Sequence, residues 1–316
     1  MTITAIGNDV HQIDTRQSGY EGITAAYLIA GPRPCLIETG TATSADTVIA
    51  ALGHLGLGAE DLASVVVSHI HLDHAGGAGH LTRAFPQAQL YVHERGARHL
   101  VDPSKLIASA RRVFGDAMDL LGEIIPTAAE RVSSLGEGDR IDLGNGRHLE
   151  SFYAPGHASH HIGLMDTVVG DLYVGDAAGV YIPETGDVRP ATAPPEFDFA
   201  HAQQTLARFR ERAPERLLFS HYGPVSNVPA ILDQSEFELE QLIAEVREAR
   251  HQGHDLDHAV AMIVERTNAR LTRLAQLPEV QERFAALNTT AANVVGVNRW
   301  LNSVEPDQYE FGDAAP

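Results

Sequence analysis

Four side chains able to bind a transition metal stand within six residues, in His69-Ile70-His71-Leu72-Asp73-His74. The apolar run Val65-Val66-Val67 precedes them and Gly76-Gly77 follows, so the cluster reads as the turn between a buried strand and a helix. Alternate residues leaving a strand point the same way, which gives His69 and His71 one direction. Asp73 and His74 follow as the chain bends, so one segment can face two adjacent ions. Imidazole nitrogens with a carboxylate oxygen suit zinc, and also iron or manganese. The chain holds 17 histidines, a count that carries weight only where they converge, as here.

The elements around the cluster alternate. Strands are predicted at residues 26–30, 35–38, 64–67, 89–92, 148–153 and 172–174, and helices at 44–55, 77–85, 199–212 and 229–250. Alternation of this kind predicts an α/β sheet architecture. Residues 101–131 interrupt the rhythm. There Phe114, Met118, Leu121 and Ile125 recur at helical spacing and predict one apolar stripe on a helical insertion. From about Ile231 the pattern is helical to about residue 302. The stretch 303–316, acidic and bearing Gly, Ala and Pro, reads as a disordered tail. The expected division is a catalytic core over residues 1–225 and a helical region over 226–302.

Composition excludes several functions. Hydrophobic residues at 44% and charged residues at 21% fit a soluble globular chain, and no apolar run reaches the roughly 18 residues a membrane-spanning helix requires. A net charge of -19 argues against a nucleic-acid surface, which needs clustered Lys and Arg. The first residues do not read as a signal peptide, and Cys35 is the only cysteine, so a cytoplasmic setting is expected.

The motif His69-Ile-His71-Leu-Asp73-His74 resembles the signature of the metallo-β-lactamase superfamily, whose fold is an αββα sandwich. That resemblance, covering about residues 4–225, implies three more ligands. His157 in Ala154-Pro-Gly-His157 is similar to the family's P-G-H-T, Asp176 in Gly175-Asp176 to its G-D, and His221 in Ser220-His221-Tyr222-Gly-Pro224 to its G-H-G-P. By resemblance His69, His71 and His157 hold one metal, Asp73, His74 and His221 the second, and Asp176 bridges them. A bridging carboxylate points away from true β-lactamases, toward glyoxalase II, lactonase and phosphodiesterase-like members. Two departures stand out: Glu38-Thr-Gly40 where relatives have D-T-G, which would alter a hydrogen bond to a ligand histidine, and Tyr222, which could reach the site as a catalytic residue. His160 and His161 are read as neighbours of the ligands or surface residues.

The implied activity is that of a dinuclear metallo-hydrolase with two divalent ions, zinc by preference. A bridging hydroxide, oriented by Asp73, would cleave an ester-like bond. The stripe and the C-terminal helices, set as a roof, favour a small-molecule thioester or lactone with an apolar acyl part. Arg266, Arg270 and Arg273 are the arginines that a glutathione-binding member would use. A homodimer is compatible with this reading. An iron-dependent persulfide dioxygenase, a phosphodiesterase or phosphotriesterase, and a metal-bearing binding protein are the alternatives. Flavodiiron relatives would have Glu in place of His71.

Overall fold

A computed structural model of the chain describes residues 2–287, 289–305 and 307–311, with the side chains of residues 113, 114, 116 and 117 outside that description. The chain divides into two compact units that interleave in sequence. The first is Met1–Tyr153, His160–Gly175 and Pro214–Ser226; the second is Ala154–Ser159, Asp176–Ala213 and Asn227–Pro316.

The first unit holds two sheets. One contains β1 (Ile3–Ala5), β2 (Val10–Asp14), β3 (Ala25–Ile29), β4 (Cys35–Ile37), β5 (Ser64–Val66), β6 (Gln89–His93) and β7 (Val132–Leu135), in that spatial order. Pairing is antiparallel from β1 to β4 and parallel from β4 to β7. Parallel neighbours need crossovers. These are α1 (Ala45–His54) after β4, α2 (Leu72–Ala75) and α3 (Ala78–Ala84) after β5, and α4 (Glu94–Val101) and α5 (Ser104–Phe114) after β6. The second sheet begins with β8 (Arg140–Gly144), β9 (Arg147–Tyr153), β10 (Ile162–Asp166) and β11 (Asp171–Gly175). The chain then leaves for a ribbon in the second unit, β12 (Val180–Ile182) and β13 (Asp187–Arg189), and returns as β14 (Arg216–Phe219) and β15 (Gly223–Val225). Its order is β15-β14-β11-β10-β9-β8.

Alternation along the strands builds two cores. On β3, Ala26 and Leu28 join a cluster with Val48 and Leu52 of α1 and Leu81 of α3. Tyr27 and Ile29 turn the other way and meet Leu149, Leu164, Tyr173 and Leu218 of the second sheet. Leu36 and Ile37, and Val65 and Val66, divide in the same manner. Strands covered on both faces explain why β4 and β5 read as continuous apolar runs.

The predicted single helix through residues 114–125 is not formed. α5 ends at Phe114, Gly115 takes φ +53°, and a 3₁₀ turn follows over Gly115–Leu120. The spacing is helical, but a left-handed glycine inside the pattern stops the helix. Of the stripe, the side chain of Phe114 lies outside the described residues. Met118 is buried with Leu72, Ala110 and Ile124, and Leu121 packs against them. Met118 is thus a core residue of a small cluster that includes Leu72 of the metal-binding motif, and not a surface waiting for an acyl chain. Met118→Ala is expected to destabilise the protein by about 2 kcal/mol or more, read by denaturant titration. A loss under about 0.5 kcal/mol with a selective change in KM would restore the lid.

In the second unit, α6 (Phe199–Glu211), α7 (Val228–His251), α8 (Leu256–Arg270), α9 (Thr272–Ala275), α10 (Pro278–Ala285) and α11 (Thr290–Val304) accompany the ribbon. Leu239 and Val246 of α7, Ile263 of α8 and Val297 and Leu301 of α11 share one core. The expected disordered tail is held as far as Phe311. The Tyr309 amide donates to Asn302 Oδ1 at 3.0 Å, its carbonyl accepts from Asn298 and Asn302 at 2.9 Å each, and Phe311 packs on the helical core. Two aromatic anchors outweigh the acidic composition. Pro306 and residues 312–316 lie outside the described residues. No described helix is long and apolar enough to cross a membrane.

Candidate metal centre

Each motif residue follows the C-terminal end of a strand. β5 ends at Val66, and His69 comes three residues later; His71 caps α2 with an extended backbone, which places Asp73 in its first turn and His74 on its buried side. The His69 ring centroid lies 4.5 Å from that of His71 and 4.0 Å from that of His74. His221 follows β14, after Ser220. Its Nε2 stands 3.1 Å from His74 Nε2 and 3.4 Å from Asp73 Oδ2, while His74 Nε2 is 3.7 Å from the same oxygen. Asp73, His74 and His221 therefore offer two nitrogens and one oxygen to a single point.

Tautomer logic sharpens this. His221 Nδ1 lies 2.8 Å from the Ile23 carbonyl, which can only accept, so Nδ1 carries the proton and Nε2 presents a lone pair. His74 Nδ1 lies 3.3 Å from Glu38 Oε1, an ion-pair distance. The Nε2 atoms of two buried histidines and an oxygen of the partly exposed Asp73 then face one another at 3.1–3.7 Å. The donor set fits a divalent metal.

Glu38 stands directly after β4 with φ +65°, and it is buried. Its carboxylate accepts from the Ser68 amide at 3.3 Å and the Ser220 hydroxyl at 3.0 Å, besides flanking His74. The substitution of Glu in the D-T-G pattern thus does reach one of the expected ligand histidines, His74, and it also joins the residues preceding His69 and His221. Ser68 Oγ lies 3.0 Å from His69 Nδ1. Sequence reasoning passed over Ser68 and Ser220. Their signal was position alone, since each directly precedes a ligand histidine.

His157 and Asp176 lie in the second unit. Gly156, at φ +132°, has room for no side chain: a Cβ would stand 2.4 Å from Ala202 Cα, so the P-G-H turn needs glycine to lie against α6. His157 Nδ1 donates to the Ala191 carbonyl at 2.8 Å, which turns Nε2 toward Asp176 Oδ2 at 3.5 Å. Here too an imidazole lone pair faces a carboxylate oxygen. The pair lines a small cavity with Phe197, Leu206 and Leu239.

Other expected residues fall differently. Tyr222, expected as a catalytic residue, donates its hydroxyl to Asp14 at 3.2 Å, and its ring packs against the core between the sheets. His160 and His161 are both buried beside His69, with ring centroids at 6.1 and 5.0 Å. Cys35 is enclosed between the sheets, where burial pushes its thiol up to about 12, far from a nucleophilic thiolate. Arg266 is bound by Glu248 at 2.7 Å and Arg270 by Glu238 and Glu245, which commits both to ion pairs within the helices; Arg273 donates to the Thr185 carbonyl.

Comparison with known proteins agrees with this geometry. The family model described as metallo-beta-lactamase superfamily matches residues 19–221. The chain is 30% identical over 231 residues to the metallo-beta-lactamase fold-containing protein ST1585 of Sulfurisphaera tokodaii, covering 71% of this chain and 82% of that protein. It is 25% identical to the probable metallo-hydrolase MJ0888 of Methanocaldococcus jannaschii over 54% of this chain and 77% of the relative. The crystal structure of ST1585 superposes with a TM-score of 0.63 over 75% of this chain and 87% of that one. The family protein TTHA1429 of Thermus thermophilus, at 17% identity, shares the fold over 95% of both chains with a TM-score of 0.64. With its mixed sheets, its helices and its histidine–aspartate motif, this chain belongs to the metallo-β-lactamase superfamily and has that superfamily's αββα sandwich with a C-terminal helical region.

Proposed function

We propose that the protein is a dinuclear metal-dependent hydrolase that cleaves an ester-like bond, a thioester or lactone. His69, His71 and His157 would hold one divalent ion and Asp73, His74 and His221 the other, with Asp176 as the carboxylate they would share; zinc suits this nitrogen-rich set. The observation that carries the reading is the convergence of the His74 and His221 Nε2 atoms on Asp73 at 3.1–3.7 Å. When bound, two such ions polarise the scissile carbonyl and lower the pKa of a shared water from about 15.7 toward neutrality. Asp73 would orient that water. His221, with Nδ1 on the Ile23 carbonyl, would offer its Nε2 lone pair to the ion. The net charge of -19 supports a small molecule over a nucleic acid.

The test is a substrate panel on metal-replete protein: thioesters, lactones, phosphodiesters, phosphotriesters and, with iron, a persulfide under oxygen monitoring. Turnover is expected on thioesters or lactones, scaling with metal content. Activity confined to phosphoesters, or oxygen uptake with persulfide, would replace this reading.

A further inference from the structure

The loop between β2 and β3 contains no recognised motif, yet it makes the closest contacts to His221. The Ile23 carbonyl and the Thr24 hydroxyl approach Nδ1 at 2.8 and 3.1 Å. Thr24 Oγ1 lies 2.6 Å from Gln17 Oε1, an acceptor, so the hydroxyl proton goes to Gln17 and the oxygen presents its lone pairs to the imidazole N–H. Both Thr24 and Gln17 are buried, where an unsatisfied polar group is costly. The loop is tied shut at its base. Asp14 accepts from the Arg16 amide at 2.8 Å and the Gly22 amide at 2.6 Å, and Tyr222 donates to the same carboxylate; Thr15 binds the Thr24 carbonyl at 3.0 Å through both its amide and its hydroxyl.

We propose that residues 14–24 form a positioning collar for His221, in which the Ile23 carbonyl fixes the ring's tautomer and the Gln17–Thr24 hydroxyl relay fixes its orientation, and so sets how tightly the Asp73–His74–His221 site holds its metal. Tyr222 belongs to the collar through Asp14. None of these residues touches the reacting atoms; they act through His221. The proposal rests on the dinuclear reading above, but the tautomer it assigns belongs to the protein without metal.

The experiment compares Thr24→Val, which keeps the shape and removes the hydroxyl, with Thr24→Ser, which keeps the hydroxyl. Metal affinity is measured with zinc against a competing chelator, and the His221 tautomer by nitrogen-15 NMR of the metal-free protein. Thr24→Val is expected to weaken one of two zinc sites by about 10–100-fold and to shift the His221 Nδ1 resonance while the Ile23 carbonyl keeps that nitrogen protonated, with Thr24→Ser near wild type. Should Thr24→Val not fold, Gln17→Met removes the acceptor that orients the hydroxyl, and is expected to give the same selective weakening. Equal zinc affinity in Thr24→Val and wild type would overturn the collar, as would equal loss in the Val and Ser variants. If wild type bound a single zinc ion, the dinuclear reading would fail, while weaker binding of that ion in Thr24→Val with Thr24→Ser near wild type would still uphold the collar.

Discussion

Asp176→Ala is expected to leave a folded protein that holds one metal ion in place of two and has lost hydrolytic turnover by more than about 100-fold. Even partners that only touch a ligand cost about 10–100-fold when removed, and a bridging ligand should cost more. Folding should survive because the backbone there is fixed without the carboxylate. β11 is paired on both sides, and the Asp176 carbonyl accepts from the Gly179 amide at 2.9 Å. The side chain itself faces His157 Nε2 at 3.5 Å, an acceptor facing an acceptor. A variant retaining two ions and near-normal turnover would reduce Asp176 to a turn residue. A variant that unfolds would show that the carboxylate supports the fold.

Glu38 carries the second large effect, and its variants should rank in a definite order. Removing the carboxylate leaves the Ser68 amide and the Ser220 hydroxyl without their shared acceptor. Buried donors left in this state cost about 1–3 kcal/mol each, so Glu38→Ala should lose about 2 kcal/mol or more. Glu38→Gln keeps the volume but turns an NH2 group toward one of these donors; it should stay folded and bind metal about 10–100-fold more weakly. At φ +65° any residue with a Cβ is strained, so Glu38→Gly should be about 1 kcal/mol more stable than Glu38→Ala despite losing more side chain. Denaturant titration reads the ranking. Ala above Gly would mean that the backbone there is not strained in solution.

Much of this was legible in the sequence because the informative residues are local. The six expected strands are all present, within about a residue of their predicted bounds, since each carries apolar residues in a continuous or alternating run. His69, His71, Asp73 and His74 are neighbours in the chain, and their convergence with His221 followed from motif resemblance. What escaped was non-local or depended on one residue. Gly115 ends a helix whose apolar spacing continues past it. β1, β2, β7, β8, β10, β14, β15 and the ribbon β12–β13 also escaped, being three to five residues long and too short to show a period. Tyr222 sits beside a ligand in sequence and still turns its hydroxyl to Asp14, because backbone direction after a strand decides where a side chain goes. Thr24 and Gln17 could not be found at all, since nothing in a short loop announces which hydroxyl will meet a histidine 197 positions later.

The most direct test of the dinuclear centre is metal content by elemental analysis, on protein purified gently and reconstituted with excess zinc, manganese or iron. About two ions per chain are expected, from two ligand sets sharing one carboxylate. A stoichiometry that stays near one with every metal would contradict the bridged pair.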